Sequence, residues 1–214
     1  MIKQRYPLAL AETVATSLIT HLVDACERVQ VAGSIRRRRQ DVGDIELLCV
    51  PLQDQKDLWG NPLPVPHSHD AVTQRVQELI STGFLALRVS EEGKTAFGAQ
   101  NKLLVHLATG IPVDVFSVPP ENWGMALLVR TGPADFCKEV MSTFLTRGMQ
   151  GHAYGGVTRN GFEVPCPDEE TVYELLGWRY QPPELRGKAP RDKWTRVRAA
   201  VAEERDSYKG PYVK

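Results

Sequence analysis

The chain has 214 residues, with 26 Lys and Arg balancing 26 Asp and Glu and 42% hydrophobic residues. This length can bury a sizeable core in one compact unit or two small lobes, and the composition excludes a fibrous or disordered chain. A formal charge of zero argues against binding nucleic acid by bulk electrostatics alone, although the charge is unevenly placed. Arg36 to Arg39 are consecutive, and nine Lys/Arg face four Asp/Glu from Arg186 to Lys214.

Cys26, Cys49, Cys137 and Cys166 form no C-x-x-C pair, so reduced thiols and a cytosolic home are expected. Glu12 interrupts the N-terminal region where a signal peptide would need an apolar core. No run approaches eighteen apolar residues, so nothing is expected to enter a membrane.

Leu8, Ala11, Val14, Ala15, Leu18, Ile19 and Leu22 recur at three and four, predicting an amphipathic helix from Leu8 to Leu22 after Pro7. Val29 to Ala32 reads as a short strand ending at Gly33-Ser34, and Ile45 to Val50 as a second strand, with the arginine run in their connection. Residues 51 to 69, with four prolines, form a loop. Its His67 and His69 have a spacing that suits a metal but lack nearby Cys or carboxylate partners, so a solvated pair is the reading. A helix capped by Asp70 and closed by Gly83 follows.

Lys102 to Ala108 and Ile111 to Val118 read as strands joined at Thr109-Gly110. Helices are expected from Glu121 to Arg130 and, after Thr131-Gly132-Pro133, to about Met149. Asn160-Gly161 between alternating residues predicts a hairpin over Tyr154 to Val164, because that pair accepts the positive φ of a type I′ turn. A last helix runs from Pro167-Asp168 to Gly177. The order suggests an α+β fold with two lobes.

Asp44 and Glu46 are two apart at a strand, so both side chains leave one face while Ile45 and Leu47 point to the core. Paired carboxylates repel unless water or a cation separates them, and hard divalent cations prefer carboxylate oxygen. Gly33-Ser34 supplies amide N–H groups and a hydroxyl, Arg36 and Arg37 supply forked cations suited to phosphate, and Gly43 lets a ligand approach the backbone. Together these describe a metal–triphosphate site. Asp114 lies between Val113 and Val115; its part depends on which strand it pairs with.

The segment Gly33-Ser-Ile-Arg-Arg-Arg-Arg-Gln-Asp-Val-Gly-Asp-Ile-Glu46 resembles the nucleotidyltransferase motif of family X DNA polymerases. Ile111-Pro-Val-Asp-Val-Phe116, Arg130-Thr-Gly132 and Glu174 to Arg186 resemble three further segments of that family in order, so the resemblance covers about residues 8 to 186. It implies a palm with a mixed β-sheet and flanking helices over 1–120, a small mainly helical thumb with a β-hairpin over 121–186, and a basic C-terminal extension over 187–214.

The implied activity is template-directed DNA synthesis with Mg²⁺ or Mn²⁺, transferring a nucleotide from a dNTP to a primer 3′-hydroxyl on primer-template or gapped DNA; a monomer is the default expectation. Asp44, Glu46 and Asp114 would hold two metals about 4 Å apart. Gly33, Ser34, Arg37 and Gly43 would bind the phosphates, and Arg130, Thr131 and Gly132 the sugar and base. Lys138 would lie near the template, and Arg191, Lys193 and Arg196 would grip DNA together with Arg186 and Trp194. The start just before the palm helix leads one to expect no lyase domain.

This sequence departs from the family pattern at four places. Glu46 stands where better-known members carry Asp, moving the carboxylate by about 1.5 Å, and this variant looks like a short phage and bacterial branch. Val129-Arg130 replaces a Tyr-Phe pair, while Cys137 and Met141 replace polar thumb positions that touch the base or template. Pro133 follows the Thr-Gly where the family has a cis peptide, so a cis Gly132-Pro133 bond is expected. Two other readings stay open: the same site serving another acceptor (RNA, a small molecule or an untemplated DNA end), and a catalytically weak DNA-binding module.

Overall fold

The computed structural model describes residues 4–52, 70–89, 93–152, 154 and 156–187. His67, His69, Arg191, Lys193, Trp194 and Arg196 lie outside the described residues.

Helix α1, Leu8–Leu22, has the bounds its periodicity predicts and buries Ala11, Val14, Ala15, Leu18 and Leu22. The stretch Leu8–Ala25 is long and apolar enough to cross a membrane by length and composition. Here its apolar stripe is spent on the core beneath the sheet.

That sheet has five strands in the order β2-β4-β7-β6-β5: β2 is Cys26–Val31, β4 Ile45–Pro51, β5 Leu85–Leu87, β6 Asn101–His106 and β7 Pro112–Ser117. Only β4 and β7 run parallel; the other neighbours are antiparallel. The sheet is thus mixed, and the fold is α+β. β1, Tyr6–Pro7, pairs with β3, Asp41–Val42, in a separate two-stranded ribbon. α2, Gly33–Arg36, turns part of the arginine run into a helical turn rather than a plain connection. α3, Ala71–Ser81, is capped by Asp70, which accepts a hydrogen bond from the Thr73 N–H at 2.7 Å.

Strand alternation sorts the side chains of β4 and β7 into two populations. Ile45, Leu47, Cys49, Val113 and Val115 join the core formed with α1 and α3. Leu48, Val50, Phe116 and Val118 point the other way and pack with Trp123, Ala126 and Leu127. Covered on both faces, β4 reads as a continuous apolar run from Leu47 to Val50 after Glu46. Glu46 and Asp114 share the second face but sit nearer the strand beginnings.

After a 3₁₀ turn at Pro120–Asn122, α4 spans Trp123–Thr131 and α5 Ala134–Thr146, and the Gly132–Pro133 bond between them is cis, as expected. α5 stops short of Met149 because Gly148, at φ 67°, turns the chain. Met149 therefore opens a strand, β8, Met149–Gly151, which pairs with β9, Val157–Arg159, and β9 with β10, Phe162–Val164. The β9–β10 turn holds Asn160 at φ 52° and Gly161 at φ 82°, the conformation its Asn-Gly sequence favours.

α6, Glu169–Leu176, is capped by Asp168. A second core gathers Leu128, Phe136, Val140, Phe144, Val172 and Tyr173. α4 and α6 approach so closely at Gly124 that a Cβ there would strike the Asp168 backbone. All four cysteines are free.

Candidate active site

The site begins with a strand pairing that sequence patterns cannot supply. In the parallel β4–β7 ladder, Glu46 lies directly opposite Asp114, so both carboxylates emerge on one face. Asp44 precedes β4 and lines, with Glu46, a cavity of about 690 Å³ whose walls also carry Ser34, Gly43 and the cations Arg5, Arg37, Arg38 and Arg39. Ser34 Oγ and Arg37 Nε are buried without a hydrogen-bond partner among the described residues. Buried polar atoms of this kind demand a partner, and an anion would provide one.

The acids repel one another. Burial, then the charges of Asp44 and Asp114, push the Glu46 carboxyl up to about 7, although Arg130 and Arg37 pull it back. Among the described residues no three His, Cys, Asp or Glu converge as a ready-made metal cage. Two contacts explain this. The Glu46 carboxylate lies against Gly33, which at φ 61° has no Cβ to collide with it. Asp114 Oδ1 is held at 2.6 Å by Arg88 Nη2. Glu46 and Asp114 leave one face of the sheet and Asp44 precedes β4; all three are hard oxygen donors, and the repulsion that Asp44 and Asp114 exert on Glu46 is what divalent cations relieve. The donor set therefore fits such metals once Glu46 and Asp114 leave these contacts.

The longer Glu46 side chain is accommodated by the turn before α2. The Ala32 N–H donates to the Glu46 carbonyl at 2.8 Å, fixing Gly33 beside β4. A larger residue at 33 would exclude this acid, so Gly33 and Glu46 are matched.

Arg36 to Arg39 divide their work. Arg36 does not face the cavity's acids; its guanidinium grips Glu169 with two hydrogen bonds, at 2.9 and 2.8 Å, and Thr131 Oγ1 at 2.7 Å. This corrects the expectation that it serves phosphate. Arg37 does line the cavity and also donates to the Thr131 carbonyl. Thr131 and Gly132 are consequently held against the arginine turn rather than left free.

Arg186, expected among the DNA-gripping cations, is fully buried and donates to Glu169 at 2.9 Å. Burial opposes the Glu169 charge, but hydrogen bonds from Arg36 and Arg186 outweigh it and hold the carboxyl below its usual range. A carboxylate flanked by two guanidiniums needs both to offset its desolvation, which explains why the second arginine is inside. The trio ties the first lobe to the second.

Arg130 is fixed by aromatic rings, its Cζ 3.6 Å from the Phe116 centroid and 4.4 Å from that of Tyr154. Phe116 lies two residues beyond Asp114 on the same face, so the stack sets a cation beside the acids. Lys138 is exposed and pairs with Asp135 at 3.1 Å. Cys137 and Met141 turn inward and pack on the second core, Cys137 donating its thiol to the Val129 carbonyl.

The sequence reading missed Arg5, brought to the cavity by the short β1–β3 ribbon, and Arg88, Tyr154 and Glu169. Glu169 carries a signal only in hindsight, since an acid in the first turn of a helix is ordinary.

The candidate site is thus a mixed sheet bearing paired acids beside an arginine-lined cavity, with a helical part tied to it through Glu169. Residues 126–187 match the DNA polymerase beta thumb family. The fold is similar to Leishmania infantum polymerase beta in a ternary P/T complex, at 18% identity and TM-score 0.69, covering 88% of this chain and 78% of that one. The same enzyme in a ternary gap complex aligns at 17% identity and TM-score 0.69, covering 87% and 72%. The chain thus matches a polymerase beta thumb over residues 126–187 and shares the polymerase beta fold over most of its length.

Proposed function

We propose that this protein is a template-directed DNA polymerase of the family X type, extending a primer or filling a short gap with dNTPs. The observation that carries this reading is the Glu46–Asp114 pair across β4 and β7, set beside the arginine cavity in a polymerase beta fold. The similar structures are complexes described as P/T and gap, which supports a DNA partner. Residues 1–120 act as palm and 121–186 as thumb, with 187–214 a basic extension.

Asp44, Glu46 and Asp114 would hold two Mg²⁺ or Mn²⁺ ions, which supply Lewis-acid stabilisation of the attacking and leaving oxygens. Ser34, Arg37 and the Gly33 and Gly43 backbone bind the β and γ phosphates, with Arg5 and Arg39 adding charge at the same wall. Thr131 and Gly132, pinned by Arg36 and Arg37, position the sugar. Arg130, held by its stack on Phe116 and Tyr154, would contact the base. Lys138 contacts the template, while Arg191, Lys193 and Arg196 hold the duplex.

One observation favours a second reading, a weakly catalytic DNA-binding module: Glu46 is turned onto Gly33 and Asp114 onto Arg88. The test is incorporation on a one-nucleotide gapped duplex with each dNTP separately, in Mg²⁺ and in Mn²⁺. Selective incorporation of the templated nucleotide supports the polymerase. Binding of the gapped duplex without incorporation in either metal would replace it with the binding module, and incorporation indifferent to the template would move the assignment to terminal transfer.

A further inference from the structure

Helix α2 closes on an unusual residue. Where α3, α5 and α6 give way, the positive φ falls on glycine: Gly83 at 74°, Gly148 at 67° and Gly177 at 63°. After α2 it falls on Arg38, at 51°. The Arg38 N–H donates to the Ile35 carbonyl at 2.8 Å and the Arg39 N–H to the Ser34 carbonyl at 3.1 Å. Arg38 therefore holds the left-handed position of a helix-closing turn, which glycine adopts without steric cost and a residue with a β-carbon does not. Its side chain offsets little of that strain, because the guanidinium is 70% exposed and its partner Glu12, 42% exposed, lies 3.6 Å away.

The same side chain borders the arginine cavity. Exposure rises along that wall from Arg37, whose Nε is buried without a hydrogen-bond partner among the described residues, to Arg38. A phosphate chain anchored at Ser34 and Arg37 meets Arg38 next as it runs toward solvent. We infer that Arg38 forms a subsite for a fourth phosphate, so that the cavity takes nucleoside 5′-tetraphosphates in preference to triphosphates, a reading that rests on the triphosphate assignment above and extends it outward. Guanidinium meets phosphate with paired N–H donors, and each added phosphate brings further negative charge and acceptor oxygens. Of the acids on the wall, Asp44 and Glu46 are assigned to metals, which leaves Asp41 against the guanidiniums of Arg5, Arg37, Arg38 and Arg39. Glu12 competes for Arg38 from the neighbouring cavity between α1 and α2.

The test is calorimetric titration of the full chain with dTTP and with thymidine 5′-tetraphosphate, in Mg²⁺ and without DNA. Wild type, Arg38→Gly and Glu12→Gln are compared. Wild type is expected to bind the tetraphosphate on the order of tenfold more tightly than dTTP, the scale of one charge-assisted contact. Arg38→Gly should bring that ratio near one and, since glycine suits φ 51°, should melt no lower than wild type. Glu12→Gln, which frees the guanidinium, should keep the ratio at or above the wild-type value. Should Arg38→Gly not fold, Arg38→Gln decides the ratio alone. A wild-type ratio near one, or a ratio that the Arg38 substitutions leave unchanged, overturns this inference and leaves the triphosphate reading intact. Failure of wild type to bind either nucleotide overturns the phosphate-cavity reading and this inference with it.

Discussion

Replacing Glu46 by Gln removes a charge that the metal-free site disfavours. The Glu46 carboxyl is raised from 4.5 to about 7, first by burial and then by Asp44 and Asp114. A group raised in the folded state stabilises that state while protonated. Its contribution is fully present below the unfolded value of 4.5 and is lost as pH climbs through about 7. At 1.36 kcal/mol per pH unit, the difference amounts to about 3 kcal/mol, or roughly 6–12 °C in melting temperature for a chain of this size.

Thermal unfolding in EDTA is therefore expected to show wild type and Glu46→Gln equally stable near pH 4. The variant should be more stable by roughly that amount at pH 8. Mg²⁺ should close the gap at pH 8 by stabilising wild type and not the variant. A gap independent of pH, or a variant less stable at pH 8, would refute the argument that repulsion and burial set the state of this acid.

Glu169→Gln leaves Arg36 and the fully buried Arg186 facing a neutral amide. Denaturant unfolding should show a loss of about 3–5 kcal/mol, with amide exchange faster first in α6; stability within experimental error of wild type would contradict the latch. Gly33→Ala forces a β-carbon at φ 61° into the Glu46 carboxylate. It should cost about 1–3 kcal/mol in stability and abolish dNTP binding measured by calorimetry; undiminished binding would show that the turn tolerates a side chain.

Much of this architecture is legible locally. The three-and-four spacing gives α1 its observed bounds, Asn160-Gly161 dictates the β9–β10 turn, and alternation around Glu46 separates Ile45 and Leu47, in the core, from the acid beside them. What stayed hidden is what distant pairing creates. Asp114 between two valines gains meaning only when β7 aligns parallel to β4, and Arg88 only when β5 and β6 extend that row. Two-residue strands such as β1 and β3 carry no period to read, which is why Arg5 escaped notice.

A charge run discloses its sign but not its partners. Arg36 reads as a phosphate ligand until Glu169 appears from 133 residues away, and Arg186 reads as part of a basic tail although it is wholly inside. Met149 reads as the end of a helix because the chain reversal at Gly148 interrupts no apolar pattern.

The most direct test of the central claim is single-nucleotide extension of a labelled primer on a templated duplex, comparing wild type with Asp114→Ala. In Mg²⁺ or Mn²⁺, wild type is expected to add only the nucleotide complementary to the template, and Asp114→Ala to add none while still binding the duplex. Templated addition that persists at the wild-type rate in Asp114→Ala would contradict the account, because the acid paired with Glu46 would then have no part in the chemistry.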